Sequence, residues 1–139
     1  MAIRTSVALR NAALNGGSVA KIIDGLSGNG TIEFFTGTVN ATFGNSPAGT
    51  KIATVTLANH SFQAAASGSM TANAIQSDVS ADATGSMGCF VLKDSSATIQ
   101  LDGSVGTTGS SQDIQFASVA ATTGDTIAMT SLIVSMPQT

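Results

Sequence analysis

Short segments in which apolar and polar residues alternate run through most of this chain, separated by turns rich in glycine, serine and asparagine. The clearest is Lys51 to Leu57, which puts Ala53, Val55 and Leu57 on one face with the period of a half-buried strand. Six more segments have strand character: 31–36, 69–76, 87–93, 98–102, 112–119 and 125–136. Evenly spaced short strands predict an antiparallel β-sandwich or jelly-roll-like barrel of about seven or eight strands.

Individual segments carry more specific predictions. Segment 87–93 is apolar on both faces, which predicts a central strand buried on both sides. The turn at 94–96 joins it to segment 98–102 in a predicted hairpin. Segment 125–136 is predicted to be the last and longest strand, ended by Pro137. Two small-residue stretches, 64–68 and 105–110, are predicted loops.

The first 27 residues have helical character instead. Thr5 or Ser6 is a candidate N-cap for a first helix that reaches about Leu14, with Ile3 and Val7 on the same face as Leu14. A second helix, capped by Ser18, has four apolar residues at helical spacing: Val19, Ile22, Ile23 and Leu26. The 139 residues are therefore predicted to form one β-rich domain, with one or two short N-terminal helices in 1–27 and a β-sandwich in 31–136.

Charge is unusually scarce. Charged residues make up 9% of the chain and aromatic residues 4%, with no Trp or Tyr, whereas about 25% charge is typical of soluble domains. The surface must therefore consist largely of hydroxyl-bearing and small side chains. Such a surface suits a protein covered by neighbours in an ordered array better than a freely diffusing enzyme.

Composition and the lack of certain sequence signals argue against several kinds of binding partner and cellular location. The net charge is −3 and the five cations form no basic stripe, so we expect no nucleic-acid binding. No apolar run approaches about 18 residues, so we expect no membrane-spanning helix. The start lacks the apolar core of a signal peptide, so we expect no Sec-type export. Cys89, the single cysteine, excludes an internal disulfide and has the apolar neighbours of a buried residue.

No arrangement of reactive residues stands out, so we expect a non-enzymatic protein without a catalytic, cofactor or metal site. His60, the only histidine, follows a strand and is interpreted as a turn residue. Asp78 and Asp82 lie in a polar loop where carboxylates can bind calcium, but the EF-hand pattern is missing and turn-forming roles are favoured. Asp102 and Asp125, each beside a glycine, are also interpreted as turn residues.

Seven stretches follow one another in a characteristic order. They are Arg4–Asn11, Ile32–Thr38, Ile52–Leu57, the tract around Phe62, Ala81–Phe90, Leu101–Gly106 and Gly124–Ile127. Together they resemble the small structural proteins encoded near the major capsid gene in many tailed bacteriophages, over nearly the whole chain. Members of that family often have Tyr or Trp where this chain has Phe35 and Cys89, a departure that affects packing.

The resemblance implies a virion component, and we expect a capsid decoration (cement) protein on the outer capsid surface, made in the host cytoplasm. Its expected partners are the major capsid protein and further copies of itself, as a homotrimer or dimer. Arg4, Arg10 and Lys21 are candidate capsid or subunit contacts, although Arg4 and Arg10 could equally form ordinary pairs within the domain. Alternatives are a tail or head-fibre protein that contacts the host surface, a secreted adhesin or pilin-like domain, and a small hydrolase.

Overall fold

A computed structural model describes residues 3–7, 9, 19–24 and 28–135, and these residues are mainly β-structure. The strands are β1 (Arg4–Thr5), β2 (Thr31–Thr36), β3 (Lys51–Leu57), β4 (Ser69–Thr71), β5 (Ile75–Gln76), β6 (Gly85–Lys93), β7 (Ile99–Thr107), β8 (Ile114–Phe116), β9 (Ala120–Ala121) and β10 (Ile133–Ser135). One short helix, α1 (Val19–Asp24), lies between β1 and β2. The part of the chain that the structure describes contains no helix long and apolar enough to cross a membrane.

The strands form one large and one small sheet. The large sheet has the order β1-β7-β6-β2-β3-β5 with antiparallel neighbours, while β8 pairs with β7 in parallel and β9 pairs with β6. Strands β4 and β10 form a separate antiparallel pair. The predicted antiparallel β-rich fold is confirmed. A closed barrel is not formed by the described residues, because β1 and β5 end the large sheet without pairing to each other.

One face of the large sheet carries the main core. The register places Ile32 of β2 beside Val55 of β3 and Leu92 of β6, and all three side chains are buried. Burying a side chain of this size stabilises the fold by about 1.5–3 kcal/mol. The small sheet contributes Met70 and Val134 to the same cluster, so both sheets share one core.

The opposite face, here called the second face, is a mixture of apolar and charged side chains. Pairing across four strands sets Glu33, Val91, Asp102 and Arg4 in one row. Residues 37–50 cover the apolar part, where Val39 and Phe43 pack against a buried cluster. That cluster consists of Phe35, Cys89, Val91 and Ile99.

The strand predictions succeed where alternation is strong. Segments 31–36 and 51–57 coincide with β2 and β3, and 87–93 lies within β6, which is paired on both sides as predicted. The hairpin of β6 and β7 is also confirmed, but β7 runs on to Thr107 and takes in part of the predicted loop 105–110.

Two other strand predictions are wrong. Segment 69–76 is divided between β4 and β5, which belong to different sheets, because the chain leaves one sheet for the other between them. Segment 125–136 is not one long strand: only Ile133–Ser135 is a strand, since the residues before it do not form a continuous ladder with a neighbour.

In the predicted helical segment 1–27, the described residues show the six-residue α1 and helical backbone at Val7 and Leu9. Arg4–Thr5 is a strand, because the main chain here pairs with the edge of β7. The Ser6 hydroxyl accepts a hydrogen bond from the Leu9 amide at 3.0 Å, as an N-cap does. The rest of the predicted first helix, with Leu14, lies outside the described residues.

The two described residues assigned to one face of that first helix are both exposed. Ile3 and Val7 are 47% and 61% exposed, whereas Leu9, which was not assigned to that face, is buried in the main core. Val7 and Leu9 both have helical backbone, and it is the side of this turn with Leu9 that faces the core.

Candidate functional site

Arg4, the first of the predicted contact residues, is held inside the domain. Its Nε and Nη2 atoms donate to Asp102 Oδ1 and Oδ2 at 2.9 and 2.7 Å, a bidentate pair. Nη1 donates to the Ala41 carbonyl at 3.0 Å, and the guanidinium carbon lies 5.8 Å from the centre of the Phe43 ring. The hydrogen bond to Asp102 raises the pKa of Arg4. Arg4 therefore ties β1, β7 and the covering loop 37–50 together.

Asp102 is not a turn residue, which corrects the sequence interpretation. Its side chain is 2% exposed, in the middle of β7. The predicted turn at 94–96 is formed, and there Asp94 Oδ1 accepts hydrogen bonds from the amides of Ser96 and Thr98 at 2.8 and 2.9 Å. The glycine after Asp102 has a packing role, because a Cβ at Gly103 would lie 2.7 Å from the Phe90 ring.

The other two predicted contact residues are Lys21 and Arg10. Lys21 lies exposed on α1. Arg10 lies outside the described residues. The assignment of Arg4, Arg10 and Lys21 as capsid or subunit contacts stays a prediction, and for Arg4 the internal pairing leaves 30% of the side chain exposed.

Asp78 and Asp82 form no common site. Asp78 accepts hydrogen bonds from the amides of Thr54 at 2.8 Å and Ser80 at 3.0 Å, so each of its oxygens binds the main chain. Asp82 forms an exposed ion pair with Lys51 at 3.1 Å. Among the described residues, no three His, Cys, Asp or Glu side chains gather where they could hold a metal ion.

His60 is an exposed turn residue with a φ of 66°, in the left-handed region. Its carbonyl accepts a hydrogen bond from the Asn73 side chain at 2.7 Å. The neighbouring Ser61 is fully buried, and both its amide and its hydroxyl donate to Asp24 Oδ1. Ser61 therefore connects α1 to the chain that follows β3 through hydrogen bonds. Its hydroxyl is buried and so is not accessible to a substrate.

Cys89 is buried as predicted, with no exposed surface. Burial, with a smaller contribution from the charge of Asp102, raises the pKa of its thiol to about 11. A thiol is a poor nucleophile at neutral pH when so little of it is ionised.

A cleft of about 730 Å³ lies between β8 and residues 125–133. Sequence reasoning missed it, because both of its walls were predicted to be ordinary strands. A partial signal was present in the sequence, where the large apolar residues Ile127 and Met129 alternate with the smaller Ala128 and Thr130.

The main chain on both walls of the cleft is incompletely paired. The Thr108 amide donates to the Phe116 carbonyl at 2.8 Å, which turns the backbone of Phe116 toward β7 and that of Gln115 away from it. On the other wall, Ile127 exchanges two hydrogen bonds with Asp78, at 2.7 and 3.0 Å. Residues 128–131 form no main-chain hydrogen bond within the described part of the chain.

Comparison with protein-family models, with curated proteins and with solved structures finds no match to this chain.

Proposed function

We propose that this chain is a virion structural protein without enzymatic activity, a capsid decoration (cement) protein that binds the major capsid protein shell and stabilises it. The observation that carries the proposal is the internal use of charge. All eight carboxylates accept an internal hydrogen bond or ion pair; they belong to Asp24, Glu33, Asp78, Asp82, Asp94, Asp102, Asp113 and Asp125. Little ionic surface is left for catalysis or for steering a charged ligand.

The surface that remains favours association through shape, hydroxyl groups and apolar contact. Four large apolar side chains are exposed among the described residues: Ile3, Val7, Val79 and Ile133. Each subunit then binds its neighbours with a modest free energy, and the effect on the shell adds up because many copies act together.

Further support comes from the resemblance to structural proteins of tailed phages and from the shared core of the two sheets, which fits a sandwich-like subunit. In this proposal the protein is made in the host cytoplasm and sits on the outer capsid surface as a homotrimer or dimer. Closed symmetry of that kind would match the local symmetry of a shell.

The number of copies per particle tests this proposal. Quantitative mass spectrometry of purified particles should find this chain in numbers comparable with the major capsid protein. A few copies per particle would favour a tail or head-fibre protein instead, and absence from particles together with a place on the bacterial surface would favour an adhesin or pilin-like domain. Hydrolase activity that is lost in His60→Ala would contradict the non-enzymatic proposal.

A further inference from the structure

The covering loop is hydrogen-bonded to the rest of the domain at its two ends and, between them, through one side chain. At the ends, the Thr36 amide donates to the Thr50 carbonyl at 3.0 Å, and the Thr50 amide donates to the Thr36 hydroxyl at 2.9 Å. Between the ends, Arg4 donates to the carbonyls of Asn40 and Ala41. Within the described residues, no other side chain from outside the loop forms a hydrogen bond with this central part.

Arg4 belongs to a short N-terminal strap, defined here as residues 3–6. Strand β1 is the end strand of the large sheet and pairs with β7. The Ser6 amide continues this pairing, since it donates to the Gln100 carbonyl at 2.9 Å. Ile3 is 47% exposed, so the strap buries little apolar surface of its own. Its attachment therefore depends strongly on the contacts of Arg4.

The covering loop lies directly over the buried cluster of the second face. Phe43 packs against that cluster, and the guanidinium carbon of Arg4 lies 5.8 Å from the centre of the Phe43 ring. A Cβ at Gly88 would lie 2.2 Å from the Gly37 carbonyl oxygen, so the loop also passes against β6 beside Cys89. Cys89 has no exposed surface. A reagent in water can therefore reach its thiol only after the loop opens or the whole domain unfolds.

We propose that the strap and the covering loop form one conformational device, in which Arg4 holds the loop over the second face and the two segments open together. Detaching the strap removes the Arg4 hydrogen bonds from the loop, and lifting the loop removes two carbonyls and an aromatic ring from Arg4. Such coupling is reciprocal, so each opening makes the other easier by the same factor. The open state exposes the cluster of the second face and leaves the main core packed. This inference does not depend on the proposed function.

Alkylation of Cys89 measures the opening of the loop in the intact protein. Iodoacetamide at about pH 8, where an exposed thiol is partly ionised, should label the wild type at a rate that hardly changes with urea below the unfolding transition. Arg4→Lys keeps a positive charge beside Asp102 but loses the planar group that reaches the loop carbonyls. It should speed labelling at least about fivefold. Val7→Ala, an exposed position next to the strap, should label at the wild-type rate.

Hydrogen exchange of the Ser6 amide measures the opening of the strap. Phe43→Ala changes no residue of the strap but removes the ring that lies beside Arg4. It should nevertheless speed exchange of the Ser6 amide at least about fivefold. Thr38→Ala, at an exposed position of the same loop, should leave this exchange unchanged. Met129→Ala, which weakens the main core, should change neither the exchange nor the labelling below the unfolding transition.

Three results would overturn the proposal. Labelling of Cys89 that follows the free energy of global unfolding, and that Met129→Ala speeds as much as Arg4→Lys does, would mean that the loop does not open on its own. A wild-type labelling rate in Arg4→Lys would mean that Arg4 does not hold the loop. Unchanged exchange of the Ser6 amide in Phe43→Ala would mean that the loop and the strap open independently. If Arg4→Lys does not fold, Phe43→Ala decides alone, because the proposal requires it to speed both reactions.

Discussion

Asp102, the partner of Arg4, is the most deeply buried side chain among the ion pairs of the described residues. Moving such a pair out of water is costly. The cost is offset here by the bidentate geometry and by the Ala41 carbonyl, which accepts a further hydrogen bond from the guanidinium. The pair does not have to add stability over an apolar pair of the same shape. Replacing only one of the two residues, however, leaves the other charge without its partner.

Asp102→Asn should lower the free energy of unfolding by about 3 kcal/mol, because the Arg4 charge loses its counter-ion next to a buried amide. Urea unfolding followed by circular dichroism measures the change. The control is Asp82→Asn in the exposed pair with Lys51, which should cost less than about 1 kcal/mol. Equal losses in both variants would contradict the structural role of the Arg4–Asp102 pair.

The buried thiol of Cys89 makes the free energy of unfolding depend on pH in the alkaline range. Burial raises its pKa to about 11 from an ordinary value of 9.0, so the folded state holds this proton more tightly than the unfolded state. The contribution to stability is complete below pH 9.0 and is lost as the pH rises through about 11. The unfolding midpoint of the wild type should therefore fall more steeply over this range than that of Cys89→Ala. Parallel curves would show that the thiol does not carry the effect.

At the scale of the elements, the sequence is informative where one strand's own pattern decides its burial. Strands β2 and β3 follow their alternation because each has a buried face and a half-exposed face. The division of 69–76 between two sheets, and the strand at Arg4–Thr5, depend on partners distant in sequence. Local residue spacing does not encode those partners, so these features could not be predicted from it.

The candidate site shows the same limit. The burial of Cys89 and the turn position of His60 follow from their neighbours in sequence, and both were predictable. The pairing of Arg4 with Asp102 joins residues 98 positions apart, so a glycine beside Asp102 suggested a turn when the cause was close packing against Phe90. The cleft depends on which strand edge stays unpaired, a property of the whole sheet.

Substitutions within residues 127–130 test whether burial alternates along this segment as the structure shows. Met129→Ala should destabilise the fold by about 2–3 kcal/mol, because it removes a side chain from the main core. Thr130→Ala, one residue further on and exposed, should change stability by less than about 0.5 kcal/mol. Chemical unfolding of the two variants measures both values, and similar losses would contradict the assigned alternation.

At the scale of the whole molecule, the fold combines a shared apolar core with a surface whose carboxylates are all engaged internally. Under the proposed function, such a surface would make repeated contacts with uncharged surfaces of the shell. The exposed apolar side chains, among them Val79 and Ile133, would be the parts that meet the shell.

The central claim, that this chain decorates and stabilises a phage shell, is tested most directly by imaging particles with and without it. Electron cryomicroscopy of particles that lack this chain should show the loss of a defined density bridging neighbouring capsid subunits, and adding the purified protein should restore that density. Shell density that is the same in both particles would contradict the account.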